Sequence, residues 1–125
     1  MVAIDTNVAI TWLKTSFTLP VGMNVNDFAL PTPVVGEMLF GARNSGRPVA
    51  NLELYRSFFS NLPVLSLNLL AAEHYAEIRL ALKQKGRPIP ENDMWIAAIC
   101  RAHDVPLLTF DQHFAEIPGL PLVTL

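Results

Sequence analysis

Short unbroken apolar runs alternate along the chain with longer segments in which apolar residues return at helical spacing. The first kind suits buried strands and the second suits helices, and their alternation builds a parallel sheet with helices on its faces. Val2–Ile4 is the first such run, and a helix follows from Asn7 to about Lys14. PVGMN reads as a loop, and a second strand lies near Phe28–Leu30. Thr32 followed by Pro33 predicts a capped helix through VVGEMLFGAR that stops near Asn44–Gly46, and another helix fits about Ala50–Ser60. Val64–Leu67 reads as a strand. Asn68 then caps a long helix whose Ala71, Tyr75, Ile78 and Leu82 form a core stripe before Gly86 ends it. GRPIPEN is a turn, and a helix beginning at Asn92 or Asp93 runs to about His103. Val105–Phe110 and Leu120–Thr124 complete the strands.

A chain of 125 residues is the size of one domain around one core, so residues 1–125 are expected to form a single unit. Hydrophobic residues make up 51%, yet no apolar run approaches the roughly 18 residues of a membrane span. Asp5 interrupts the first apolar run and no basic segment precedes it, which speaks against a secretion signal and for a cytoplasmic protein. The single cysteine, Cys100, lies in MWIAAIC and reads as a small core residue.

A net charge of −2 argues against generic nucleic-acid binding. Local basic groups remain: Arg79, Lys83, Lys85 and Arg87 in one stretch, Arg43, Arg47 and Arg56 in another. Each is either a solvated helix face or a local phosphate-binding patch.

The acidic residues fall at telling places on this outline. Asp5 and Asp111 directly follow strands, at the sheet edge where ligands of open parallel sheets bind. Asp93 sits in the first turn of a helix, and Glu37 lies in the helix after the second strand. Four carboxylates brought together repel one another and lose hydration unless a hard divalent cation neutralises them. Oxygen-only ligation suits Mg²⁺ or Mn²⁺, and the three histidines show no zinc-ligand spacing. Such a site supports in-line hydrolysis of a phosphodiester. Each residue also has a plainer role: Asp5 as a helix cap, Asp93 as a helix N-terminal acid, Glu37 as a solvated helix residue and Asp111 as a turn former.

IDTNV around Asp5, PVVGEMLFGAR around Glu37, GRPIPENDMWIAA around Asp93 and PLLTFDQHF around Asp111 together resemble a PIN-domain ribonuclease of the VapC toxin type. The resemblance implies a three-layer α/β/α sandwich on a parallel sheet of about five strands. It implies RNA cleavage with Mg²⁺ or Mn²⁺ held by Asp5, Glu37, Asp93 and Asp111, the first and third as direct ligands and the others through water. Thr109, Thr6 and Asn7 become supporting residues, with Thr109 bonding a carboxylate or a metal-held water and Asn7 orienting Asp5. Arg43, Arg79, Lys83 and Arg87 become phosphate-contact candidates. A homodimer and a cognate antitoxin are the implied partners, with Trp12, Leu13, Phe58 and Phe59 as candidate interface residues or, equally, core. His113 is near enough to Asp111 in sequence to touch substrate but reads rather as a solvated turn residue, and His74 and His103 read as ordinary helix residues. Removing the four presumed ligands from 11 acidic residues leaves seven against nine basic ones, a mildly cationic remainder.

Other readings fit less well. A haloacid-dehalogenase-like phosphatase wants a second Asp two residues after the first, where this chain has Asn7, and a response-regulator receiver wants paired early acids and a late Lys. A PIN-like RNA-processing nuclease outside a toxin pair, and a PIN-like binding module that does not cleave, are the alternatives that keep the same fold.

Overall fold

The computed structural model describes residues 1–15 and 18–123. Five parallel strands form one sheet in the order β3-β2-β1-β4-β5: β1 (Val2–Ile4), β2 (Phe28–Pro31), β3 (Val64–Leu65), β4 (Leu107–Leu108) and β5 (Leu122–Val123). Between them run α1 (Thr6–Lys14), α2 (Thr32–Arg43), α3 (Pro48–Phe59), α4 (Leu69–Lys85) and α5 (Glu91–Ala102). The result is a three-layer α/β/α sandwich. From β1 the chain moves outward to β2 and β3, then returns past β1 to lay down β4 and β5 on the other side. The direction of winding therefore reverses between β1 and β4, and open α/β sheets bind ligands at such a reversal, beyond the carboxyl ends of the strands.

β1 and β2 are buried at every position, as expected of central strands covered on both faces. α5 is buried continuously from Ile96 to Cys100, which explains why MWIAAIC reads as an unbroken apolar run. Cys100 is fully buried and its thiol is pushed up to about 12 by desolvation, so it belongs to the core. Asn68 caps α4 by accepting from the Ala71 N–H at 2.9 Å, and Gly86 ends it in the left-handed conformation at φ +68. Ala71, Ile78 and Leu82 of α4 are buried, whereas Tyr75 is half-buried and stacks on Trp95 with ring centroids 3.7 Å apart. Trp12 packs edge-on against Phe28 and Phe58, and Leu13 and Phe59 pack against the same core, so these four are largely committed within the fold.

Several boundaries differ from the sequence expectation for identifiable reasons. Thr32 is the first residue of α2 rather than its cap, because its hydroxyl donates across to the Leu65 carbonyl at 2.8 Å. α5 starts at Glu91, with Pro90 as the residue before it. β4 is shorter than Val105–Phe110, since the Val105 N–H bonds back to the Cys100 carbonyl at 3.0 Å and completes the end of α5. β3 likewise stops at Leu65, and the last strand comprises Leu122–Val123, with Thr124 outside the described residues. Two 3₁₀ turns were not expected. In Val25–Asp27 the side chains of Asn24 and Asp27 cap each other's backbone, a reciprocal pair visible in the Asn-x-x-Asp spacing; the other covers Gln112–Glu116.

Candidate active site

The register of β1 against β4 places the first site residues. Ile4 pairs with Leu108, so Asp5 and Thr109 leave the sheet side by side, and the Asp5 N–H donates to the Leu108 carbonyl at 3.1 Å. The Thr109 hydroxyl then donates to Oδ2 of Asp5 at 2.9 Å. Oδ1 of Asp5 accepts from the Thr6 N–H at 2.8 Å, so Asp5 also caps α1. Capping and site support are thus met by one side chain, which is only 5% exposed and is the single buried charged residue among those described.

The other carboxylates gather around it. The Thr6 hydroxyl donates to Oε1 of Glu37 at 2.9 Å, linking α1 to α2. Asp93 enters from the first turn of α5. Asp111 follows β4, and its N–H donates to the Thr109 hydroxyl oxygen at 3.0 Å. Together Asp5, Glu37, Asp93 and Asp111 line one cleft of about 480 Å³ with Thr6, Asn7 and the start of α5. Asn7 lies on the cleft wall, while the hydrogen bonds that fix Asp5 come from Thr6 and Thr109.

Burial and mutual repulsion act on these groups in the same direction. Desolvation raises the Asp5 carboxyl above the usual range, against the hydrogen bonds from Thr109 and Thr6. Glu37 is raised by desolvation, with Asp93 and Asp5 adding repulsion and Thr6 opposing. Asp93 is raised by desolvation and by Asp5, while His113 opposes. Among the described residues no Lys or Arg forms an ion pair with any of the four carboxylates. A buried, hydrogen-bonded carboxylate among like charges, with no Lys or Arg paired to it, fits a divalent cation.

His113 is the site residue that sequence reasoning misplaced. It is not a solvated turn residue: its Nε2 lies 2.7 Å from Oδ2 of Asp93 and its Nδ1 lies 3.4 Å from Oδ1 of Asp111. The 3₁₀ turn Gln112–Glu116 brings the ring back against Asp93 and Asp111 at the edge of the cleft. Ligand atoms of Asp93, Asp111 and His113 all fall within 4.8 Å of one another, a spacing that can hold a metal ion. The two-residue offset from Asp111 already puts His113 near the site; its contact with Asp93 follows from the 3₁₀ turn after Asp111. The other histidines stay clear of the cleft: His103 bonds the Ser66 carbonyl at 3.0 Å just past the end of α5, and His74 lies near Glu77 on α4.

The basic candidates do not form one patch. Arg79 and Lys83 line a groove between α4 and the start of α5, where Arg79 donates to the Tyr75 hydroxyl at 2.7 Å and pairs with Glu91 at 3.4 Å. Tyr75 in turn hydrogen-bonds Glu91. Arg87 lines a separate depression that reaches His113, and Arg43 is exposed at the end of α2.

The sequence model of the PIN domain matches residues 2–120. The chain belongs to the PIN domain family. Among its PIN relatives, the tRNA(fMet)-specific endonuclease VapC of Shigella flexneri is 29% identical over 121 residues, spanning 94% of this chain and 92% of the relative. The fold is similar to that of DNA-bound VapBC from Salmonella typhimurium, with a TM-score of 0.89, 28% identity and coverage of 98% of this chain and 96% of that one. VapBC-5 from Mycobacterium tuberculosis, described as a member of the VapBC family of toxin-antitoxin systems, gives a TM-score of 0.75 at 25% identity and covers 98% of this chain and 95% of its own. No helix among the described residues of this PIN chain is long and apolar enough to cross a membrane.

Proposed function

We propose that this chain is the RNA-cleaving toxin of a toxin–antitoxin pair, one PIN domain over residues 1–125 that hydrolyses phosphodiesters in the carboxylate cleft. The observation that carries this reading is the meeting of four carboxylates, one of them buried, at the ends of β1 and β4 in a chain that aligns along most of its length with an endonuclease. Asp5, Glu37, Asp93 and Asp111 are the catalytic set. They hold Mg²⁺ or Mn²⁺, with Asp5 and Asp93 as direct ligands and Asp111 and Glu37 acting through water. When bound, the cation supplies positive charge against the phosphate and a more acidic water. Thr109 and Thr6 keep Asp5 and Glu37 facing the cleft. Glu37, which acts through water and is held by the Thr6 hydroxyl, is the carboxylate that takes the proton of the attacking water. The water oxygen bonds to phosphorus, the bond to the leaving ribose oxygen breaks, and that oxygen takes up a proton from solvent to leave as a hydroxyl.

The likeness to VapBC assemblies supports a cognate antitoxin as partner, and a homodimer in the cytoplasm is the working form of this reading. Its test is cleavage of a panel of tRNAs, initiator tRNA included, and ribosomal RNA fragments by the purified chain with Mg²⁺ or Mn²⁺. Cuts that disappear with chelator and in both Asp5→Asn and Asp93→Asn are expected. Cutting that persists unchanged in those variants, or no cutting of any RNA by a chain shown to bind the cation, would overturn it.

A further inference from the structure

Of the phenylalanines among the described residues, Phe40 and Phe110 are the two exposed ones, at 69% and 49%. Both adjoin the cleft in the chain: Phe40 lies one turn after Glu37 on α2, and Phe110 immediately precedes Asp111. Phe40 lines a depression with Thr6, Gly36, Glu37 and Asn92. Thr6, Glu37 and Asn92 also line the carboxylate cleft, so the two hollows adjoin and share a wall.

Gly36 makes this surface informative. A glycine inside a helix costs about 1 kcal/mol relative to Ala, and a buried neighbour or a left-handed backbone usually explains it. Neither applies here, because a Cβ added at Gly36 meets nothing within 4 Å and its backbone is ordinarily helical. The fold does not require the missing side chain. Gly36 and Phe40 are one helical turn apart, on the side of α2 away from the buried Val34, Met38 and Ala42. Arg43, one further turn along, is exposed and in no ion pair among the described residues. The stripe therefore offers a bare backbone, an aromatic face and a free guanidinium in sequence, beginning at the carboxylates.

We infer that Gly36, Phe40 and Arg43 form a subsite for single-stranded RNA: a nucleobase next to the cleaved phosphodiester stacks on Phe40 over Gly36, and Arg43 meets a neighbouring phosphate. Stacking on an exposed ring suits unpaired bases, tolerates any base identity, and places an aromatic face where water would otherwise lie. The charge order is complementary too, since the guanidinium lies away from the acidic cluster and in reach of the negatively charged strand leaving it. This inference rests on the ribonuclease reading, and α2 is assigned to RNA rather than to protein because the depression borders the carboxylate cleft and shares Thr6, Glu37 and Asn92 with it.

The test uses the full chain and short single-stranded oligoribonucleotides carrying 2-aminopurine at successive positions. Binding is read in an Asp5→Asn background, and cleavage in the otherwise native chain. One position of the probe should be quenched on binding. Phe40→Ala should abolish that quench, weaken binding roughly 5- to 100-fold and raise KM more than it lowers kcat, whereas Phe40→Trp should retain both. Gly36→Leu should weaken RNA binding without lowering Tm, which separates a binding role from a structural one. If the native chain cuts RNA but Phe40→Ala and Gly36→Leu bind and cut it like the parent, the inference fails while the ribonuclease reading stands. It fails likewise if those variants lose only the antitoxin. If the native chain neither binds nor cuts any RNA, the ribonuclease reading fails and takes the subsite with it.

Discussion

Thr109 and Asp5, 104 residues apart in the chain, are joined by a 2.9 Å hydrogen bond from the threonine hydroxyl to Oδ2 of the buried carboxylate. The same hydroxyl oxygen accepts from the Asp111 N–H, so one side chain sets the relative positions of two candidate ligands. Thr109→Val keeps the shape and removes both bonds. It should cost about 1–3 kcal/mol of stability and lower divalent-cation affinity about 10-fold, while Thr109→Ser restores most of each. Calorimetric titration with Mn²⁺ and thermal melts check the pair of outcomes.

The raised carboxyls of Asp5, Glu37 and Asp93 give the metal-free chain a distinctive pH dependence. When an acid's folded pKa lies above its unfolded one, the native state binds the proton more tightly. Its contribution to stability is then greatest below the unfolded value and falls as pH rises through the window up to the folded value. With cations chelated, Tm should decline as pH rises above the ordinary carboxylate range, and Asp5→Asn should flatten the decline. Asp5→Asn should at the same time reduce cleavage about 100-fold or more. A decline as steep in Asp5→Asn as in the parent would contradict the assignment of repulsion and desolvation to this site.

Cation binding should reverse that penalty. At a free concentration 100 times its Kd, a ligand confined to the native state adds about 2.7 kcal/mol. Mg²⁺ or Mn²⁺ should therefore raise Tm by several degrees in the parent and much less in Asp93→Asn. Differential scanning calorimetry with and without chelator measures both.

His113, held between Asp93 and Asp111, is expected to position these carboxylates. His113→Ala should weaken Mn²⁺ binding on the order of 10-fold with little change in the far-ultraviolet spectrum. Unchanged affinity would reduce the contact to a feature of the metal-free chain.

Ile96 tests the frame rather than the site. It is fully buried in α5, the helix that presents Asp93. Ile96→Ala should cost about 2–5 kcal/mol, with activity at low temperature retained by the fraction that remains folded. Urea denaturation followed by circular dichroism reads the loss.

The helices and the sheet-edge carboxylates were legible because their signals are local. Asn68 and Gly86 bracket α4 by capping chemistry that depends on a few neighbouring residues, and Asp5 follows an apolar run whose end is abrupt. β3 and β4 read too long because a strand ends where its ladder partners end, and that depends on distant segments: Val105 looks like strand by composition yet completes the α5 terminus. The role of His113 was hidden for the same reason. Its ring reaches Asp93 across 20 residues through a turn that apolar periodicity does not encode. Thr109 was readable as support for the site, but the identity of its partner followed from the Ile4–Leu108 register.

The order of the site residues along the chain also bears on how the protein is made. Asp5 is synthesised about a hundred residues before Thr109 and Asp111, and β4 must dock beside β1 before they meet. A growing polypeptide still on the ribosome holds Asp5 long before it can hold its partners. The cleft closes its circle of ligands only after β4 has emerged and docked, so a nascent chain that stops short of β4 holds three of the four carboxylates without the strand that completes their site.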